Sequence, residues 1–298
     1  MPELPDITLY IEALTSRLRG ARLERARVAS PFLLRSVAPS MDEAVGAEVT
    51  AIERLGKRIA IGFSNELWFV MHLMIAGRLQ WREAWPAKIT RQTALVLGFT
   101  SGTLLLTEAG TRKRASLHVV HGRDALAAHD PGGLELANAT LTQFRAALSL
   151  RNHTLKRALT DARLLSGIGN AYSDEILHRA RLSPVALTSR LDDEEYARLF
   201  DATRAVLDEW LARLRDEAAG AFPGKVTAFR PEMAVHGRYG LPCPDCGTRV
   251  QRIRYVDNET NYCPRCQTGG RLLADRALSR LLKDDWPRSI EQLEHPKG

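Results

Sequence analysis

Between positions 7 and 18 the apolar residues Ile7, Tyr10, Ile11, Leu14 and Leu18 recur at spacings of three and four. That predicts an amphipathic helix over "ITLYIEALTSRLRG", closed by Gly20. From about 21 to 122 the pattern shifts to strands. "TAIERLGKRIAIGF", "ELWFVMHLMIAGRLQW", "TALVLGFTSGTLLLTEA" and "ASLHVV" are rich in Val, Ile, Leu, Thr and aromatics, and "SNE" and "SGT" separate them as turns. A mostly antiparallel sandwich or barrel is expected. "HGRDALAAHDPGGLE" at 121–135, with Pro131, Gly132 and Gly133, is expected to connect domains. From about 140 to 220 helical periodicity returns in "TLTQFRAALS", "HTLKRALTD", "AYSDEILHRA" and a long stretch that opens on Asp192 and Asp193, acids suited to a helix N-terminus. No internal repeat of fixed period is present.

At 298 residues and 45% hydrophobic, the chain can bury a sizeable core in two or three domains. Its longest apolar run, "LWFVMHLMIAG" at 67–77, is broken by His72 and falls short of the ~20 residues that span a bilayer. Its start lacks the order of a secretory signal, so a cytoplasmic protein without membrane partners is expected. Lys and Arg total 42 against 35 for Asp and Glu, a formal charge of +7 that favours polyanions through phosphate neutralisation. All four cysteines lie between 243 and 266, which favours a metal site over scattered disulfides.

Cys243, Cys246, Cys263 and Cys266 form two C-x-x-C knuckles 16 residues apart, a spacing at which four thiolates close a tetrahedral, structural zinc site. Arg249, Arg252 and Arg254 lie between them, where a zinc-pinned hairpin would present cations to a phosphate backbone. In "LLSGIGNAYSDEIL", Gly167 and Gly169 predict a tight turn between two helices. It serves either simple close packing or phosphate binding at a helix N-terminus, where Asn170 adds a donor. The opening "MPELPDITLY" sets Pro2 directly behind Met1, just ahead of a buried helix.

The opening "PELPD", the lysine in "LGKRIA", "HLMIAG", "LKRAL", "GIGNAYSDEIL", "HGRYGLPC" and the four-cysteine hairpin occur in an order that resembles the formamidopyrimidine-DNA glycosylases, with endonuclease VIII as sister branch. The resemblance runs from Pro2 to about Gln267. It implies an α+β multidomain fold: an N-terminal helix-capped antiparallel β-sandwich (1–122), a linker (123–135) and a helix-two-turn-helix domain (136–222). A lesion lid loop (223–237), a zinc-finger β-hairpin (238–268) and a partly helical extension (269–298) complete it. It further implies a monomer carrying one Zn2+, acting on double-stranded DNA that contains damaged bases or abasic sites.

By the same resemblance, removal of Met1 exposes Pro2 as a secondary amine. An N-terminal amine has an ordinary pKa near ~8 against ~10.4 for lysine, so more of it is free base. Pro2 is then the nucleophile and Glu3 the acid that protonates the sugar ring oxygen or relays protons. Asp6 falls where the family has glutamate. Glu175 organises the active site. Lys57, Lys156 and Asn170 grip phosphates around the flipped nucleotide, and His72 assists. Such clamps offset the few kcal/mol of base extrusion.

Several positions depart from the family pattern. Asn258 stands where an arginine contacts phosphate, and it lacks both charge and planar fork, with Arg254 close in sequence. Ile75 replaces the methionine wedge, with Met74 beside it as an alternative. "EAGTRKRASL" lacks the arginine-phenylalanine pair that contacts the orphan base, though Arg112, Lys113 and Arg114 keep its charge. After Cys266, 32 residues remain, and Leu272, Leu273, Leu278, Leu281 and Leu282 predict a short amphipathic helix. Leu4 in "PELP" points to the formamidopyrimidine branch and ring-opened or oxidised purines. The expected function is a bifunctional glycosylase and abasic-site lyase of base-excision repair. The competing reading is a lesion-specific DNA-binding protein with weak or no catalysis.

Overall fold

The computed structural model of the chain describes residues 1–224, 226–227, 229–256, 258–275 and 287–294. Two compact units form, Met1–Pro131 with Glu209–Thr227, and Gly132–Asp208 with Ala228–Gly298.

In the first unit the periodic N-terminal segment is helix α1 (Leu4–Leu18), and Gly20 follows it at φ 80°. Eight strands follow: β1 (Leu23–Val28), β2 (Val49–Leu55), β3 (Arg58–Phe63), β4 (Leu67–His72), β5 (Gly77–Arg82), β6 (Thr93–Phe99), β7 (Gly102–Glu108) and β8 (Ser116–His121). They make two four-stranded antiparallel sheets in the orders β1-β6-β7-β5 and β2-β3-β4-β8. Alternation decides which side chains face inward. Ile59, Ile61, Phe69, Met71, Leu117 and Val119 of one sheet meet Leu23, Leu79, Leu95, Leu97, Leu104 and Leu106 of the other. The structure is thus a sandwich. Helix α1 adds Ile7, Tyr10, Leu14 and Leu18 to the same core, and the Tyr10 hydroxyl accepts the Leu79 N–H at 3.3 Å.

Two expectations are revised here. Lys57 is not on a strand: Leu55 pairs with Arg58, so Gly56 and Lys57 form the two-residue turn between β2 and β3. The stretch expected to be a connection begins as helix α2 (Gly122–Ala127), because Leu126 finds an apolar bed of Ala60, Trp68 and Val70 on the outer face of the second sheet.

The second unit holds helices α3 (Leu141–Ser149), α4 (Leu155–Thr160), α5 (Asn170–Arg179) and the N-terminal part of α6 (Asp193–Ala218). Phe144, Leu148, Leu155, Leu159, Ile176, Leu177 and Leu199 are buried. Beyond them come the hairpin β9 (Gln251–Arg254) and β10 (Glu259–Tyr262), then α7 (Pro264–Thr268) and α8 (Ile290–Glu294). Leu272 and Leu273 belong to no helix. They bury their side chains outside any regular element, while Leu278, Leu281 and Leu282 lie outside the described residues. Among the described residues no helix is long and apolar enough to cross a membrane.

Because Leu14 is fully buried where α1 joins the sandwich core, Leu14→Ala should cost about 2–5 kcal/mol. Chemical denaturation of the full chain should show a lower midpoint.

Candidate nucleic-acid and catalytic site

At the head of α1, Pro2 is buried, and Glu3 and Asp6 are each 2% exposed. The Glu3 N–H donates to Asp6 Oδ2 at 2.9 Å, so Asp6 satisfies one of the orphan donors that every helix N-terminus leaves. This fixes the backbone from which both Pro2 and the Glu3 carboxyl project. Burial is the main force that pushes the chain's terminal amine, here that of Met1, below its ordinary value. Glu3 and Asp6 oppose that shift, and Arg78 and Lys57 reinforce it.

The segment between β4 and β5 is a tight turn. Met74 takes φ 53°, its N–H donates to His72 Nδ1 at 3.3 Å, and Gly77 N–H donates to the Leu73 carbonyl at 2.9 Å. A Cβ at Gly77 would lie 2.2 Å from that oxygen, so only glycine fits. The Arg78 guanidinium closes the turn from outside, donating to the carbonyls of Ile75 at 3.0 Å and Gly77 at 2.7 Å. The side chain left on the surface is Ile75, 52% exposed, while Met74 is half-buried. Since His72 Nδ1 accepts, its proton sits on Nε2. Burial, then the Arg58 and Lys57 charges, bring its pKa down to about 4, so the ring is neutral near pH 7.

Beside this turn runs the loop 109–115, where a Cβ on Gly110 would stand 3.3 Å from the Ala76 methyl. Buried Glu108 organises it, its Oε1 accepting the N–H groups of Arg114 at 2.8 Å and Ala115 at 3.1 Å, while the Lys113 ammonium donates to the Glu108 carbonyl. Arg112 stays exposed. Glu108 is a site residue that sequence reasoning missed, since its partners are backbone amides and amides leave no trace in side-chain identity.

In the second unit Gly167 turns at φ 81°, and Asn170 opens α5. The Asn170 side-chain amide donates to the Glu259 carbonyl at 2.9 Å and so ties α5 to the hairpin. The Lys156 side chain is only 12% exposed, its ammonium bound to Asp174 Oδ1 at 2.5 Å and to the Asn170 carbonyl at 2.6 Å. Asp174 is fully buried and also meets His236 Nδ1 at 2.8 Å. The Glu175 carboxylate accepts three backbone N–H groups, from Ala234 at 2.7 Å, Val235 at 2.9 Å and His236 at 3.0 Å. Neighbouring acids on α5 therefore fasten the chain that leads into the four-cysteine region, including the end of the expected lid.

The four cysteine sulfurs lie within 4.8 Å of one another, with Cys246 and Cys263 3.4 Å and Cys243 and Cys266 3.9 Å apart. Four thiolates at Zn–S ≈ 2.3 Å in a tetrahedron stand about 3.8 Å apart, so the set fits one zinc. His178 Nε2 is 3.2 Å from Cys243 Sγ, a donor suited to a thiolate. In the hairpin Arg252 is engaged, with Glu259 at 3.3 Å and over the Tyr239 ring at 4.2 Å. Arg254 and Asn258 are exposed, and the Tyr255 N–H closes the tip on the Asn258 carbonyl at 2.8 Å.

The chain is similar to known proteins along most of its length. Residues 1–117 match the family model "Formamidopyrimidine-DNA glycosylase N-terminal domain", 129–217 match "Formamidopyrimidine-DNA glycosylase H2TH domain", and 240–269 match "Zinc finger found in FPG and IleRS". A formamidopyrimidine-DNA glycosylase of Heliobacterium modesticaldum is 32% identical over 284 residues, covering 90% of this chain and all of that protein. A formamidopyrimidine-DNA glycosylase-like protein of Mycobacterium tuberculosis is 44% identical over 51% of this chain and 93% of its own length. Among solved structures, MutM (Fpg) of Thermus thermophilus superposes with a TM-score of 0.73 at 30% identity, covering 89% of this chain and 98% of that one. Lactococcus lactis Fpg bound to DNA containing Fapy-dG superposes at 0.78 and 23% identity, over 89% and 100%.

The low pKa of His72 has a consequence for stability. Between about 6.5, its unfolded value, and about 4 the unfolded chain binds the extra proton, so stability is full above pH 6.5 and falls as pH drops towards 4. His72→Gln should fall less steeply over that window in denaturation at stepped pH.

Proposed function

The chain belongs to the formamidopyrimidine-DNA glycosylase family, and from that premise we propose that it excises ring-opened or oxidised purines and cleaves the resulting abasic site through Pro2. It is a DNA glycosylase of base-excision repair that binds DNA and carries one structural zinc. The observation that carries the finer reading is the head of α1. There a buried carboxyl, Glu3, adjoins Pro2 on a backbone that Asp6 holds, in surroundings that disfavour a charged amine.

Once Met1 is removed, the Pro2 nitrogen attacks C1′ of the damaged nucleotide, and the base departs with the glycosidic electron pair and takes up the proton that the Pro2 nitrogen loses. Glu3 protonates the sugar ring oxygen as the ring opens, leaving a cationic iminium between Pro2 and C1′. That positive charge acidifies the C2′ hydrogen. Loss of the proton expels the 3′ phosphate, so one amine serves both steps. Neutral His72 donates from Nε2 to DNA. Lys57 sits, half-buried, in the two-residue turn between β2 and β3, from which its ammonium reaches a phosphate. Ile75 fills the space of the extruded base, since it is the exposed side chain of a rigid turn. Arg112 and Arg114 face the opposite strand.

Roles in the second unit divide differently. Glu175 and Lys156 act by fastening the backbone, because their hydrogen bonds go to protein. Asn170, Arg254 and Asn258 supply phosphate contacts. With no arginine-phenylalanine pair in 109–115, discrimination among opposite bases is weak.

Borohydride reduction of the enzyme on abasic DNA should trap a covalent adduct at the Pro2 nitrogen. Pro2→Gly should trap poorly. Glu3→Gln should lose base excision about 10²–10⁴-fold yet keep more of its action on a preformed abasic site. An adduct at Lys57 with full activity in Pro2→Gly would overturn the assignment. Single-turnover excision from duplexes carrying each lesion opposite each base should favour ring-opened purines over oxidised pyrimidines. Faster pyrimidine release would reverse the substrate choice alone.

A further inference from the structure

The match to the zinc-finger model ends at residue 269, and the chain beyond it has no part in the chemistry described so far. Its described residues lie against the hairpin. Leu273 packs with Ile253 of β9 and Tyr262 of β10 in a small buried cluster, and the Leu273 N–H donates to the Tyr262 hydroxyl at 2.8 Å. Two residues on, the Asp275 carboxylate, 2% exposed, accepts the Arg254 N–H at 2.7 Å. A second strand of chain lines the first: Leu272 N–H donates to the Arg288 carbonyl and Ile290 N–H to the Gly270 carbonyl, both at 3.0 Å, with Arg271 and Ser289 bridged antiparallel.

An isolated two-stranded hairpin is marginal in water, and zinc secures only the end that carries the cysteines. Arg254 closes β9 at the other end, about 10 Å from Gln251 at ~3.4 Å per residue. Its side chain is exposed and its backbone N–H is the one that Asp275 accepts. A buried carboxylate is stable only where donors meet it, so the Asp275 contact is selective for one placement of Arg254.

We propose that residues 270–275 and 287–293 are a built-in splint for the zinc hairpin, and that Asp275 is a positioning residue that aims Arg254 at a DNA phosphate. The inference rests on the DNA-binding reading above. It explains how a hairpin with Asn258 in place of arginine grips the backbone: Arg254, an exposed cation at its tip, is held by the chain that follows the finger.

Full-length, zinc-loaded protein and its variants would be titrated against duplex DNA containing a tetrahydrofuran abasic analogue at two salt concentrations. Asp275→Ala should weaken binding five- to tenfold with one zinc per chain retained, and Asp275→Asn, which keeps an acceptor oxygen, should recover most of it. Combined with Arg254→Ala, Asp275→Ala should cost nothing further, and both single variants should lower the salt slope by about one phosphate contact. Wild-type affinity in zinc-loaded Asp275→Ala, or losses that multiply in the double variant, would overturn the splint. If Asp275→Ala loses its zinc, Tyr262→Phe decides. Faster amide exchange at Leu273 with weakened binding supports the proposal, and unchanged binding overturns it. Failure of the wild-type protein to bind the duplex would instead remove the DNA-binding reading itself.

Discussion

A carboxylate taken out of water must be met by hydrogen-bond donors, and this chain meets the demand with backbone amides. Glu175 is the fullest case, with three consecutive N–H groups from 234–236. Glu108 takes two from its loop, Asp6 takes that of Glu3, and Asp275 that of Arg254. Glu175, Glu108 and Asp6 pin backbone outside any strand or helix, and Asp275 fastens the last residue of β9. Breaking any of them leaves a buried charge without its donors, which costs more than the contact itself contributes. These segments are therefore held by hydrogen bonds to buried carboxylates as well as by packing.

This use of acids reshapes the charge of the surface. Among the described residues six acidic side chains are buried, Glu3, Asp6, Glu108, Asp174, Glu175 and Asp275, against one arginine, Arg230. Withdrawing more acids than bases leaves the water-facing part of the chain more positive than the formal +7 suggests. For a protein that binds DNA the division is economical. Anions shape the backbone where phosphate never comes, and cations remain where it does.

The sequence makes legible whatever depends on periodicity or close spacing. Helix α1, the strands of the sandwich, the turn at Gly167 and the cysteine quartet all follow from residues near one another along the chain. What stays hidden depends on partners far away. Nothing near Lys156 in the sequence announces that Asp174, eighteen residues on, binds its ammonium. Lys57 looks like a strand residue until the pairing of Leu55 with Arg58 leaves it in a two-residue turn. The leucines after the finger suggest a helix, yet Leu272 and Leu273 lie in none, and Leu273 is taken up by Ile253 of β9 and by the ring and hydroxyl of Tyr262 of β10.

Three departures from the family pattern fall on exposed tips above intact anchors, while the fourth, the buried Asp6, still accepts the Glu3 N–H. Ile75 crowns a turn that Gly77, His72 and Arg78 fix from below. Arg112 projects from a loop that Glu108 holds, and Asn258 lies at a hairpin tip clamped by Asp275 through Arg254. A tip side chain can change at little cost in stability, because it is solvated and its backbone is held independently. An anchor cannot, since Gly77 has no room for a Cβ and Glu175 has three amides to satisfy. Selection can thus retune how the protein meets the DNA around a lesion without moving Pro2 or Glu3, whose positions depend on α1 and the core it completes. The turn at 73–77, the loop 109–115 and the tip of the zinc hairpin can therefore vary while the helix and core beneath Pro2 and Glu3 stay as they are.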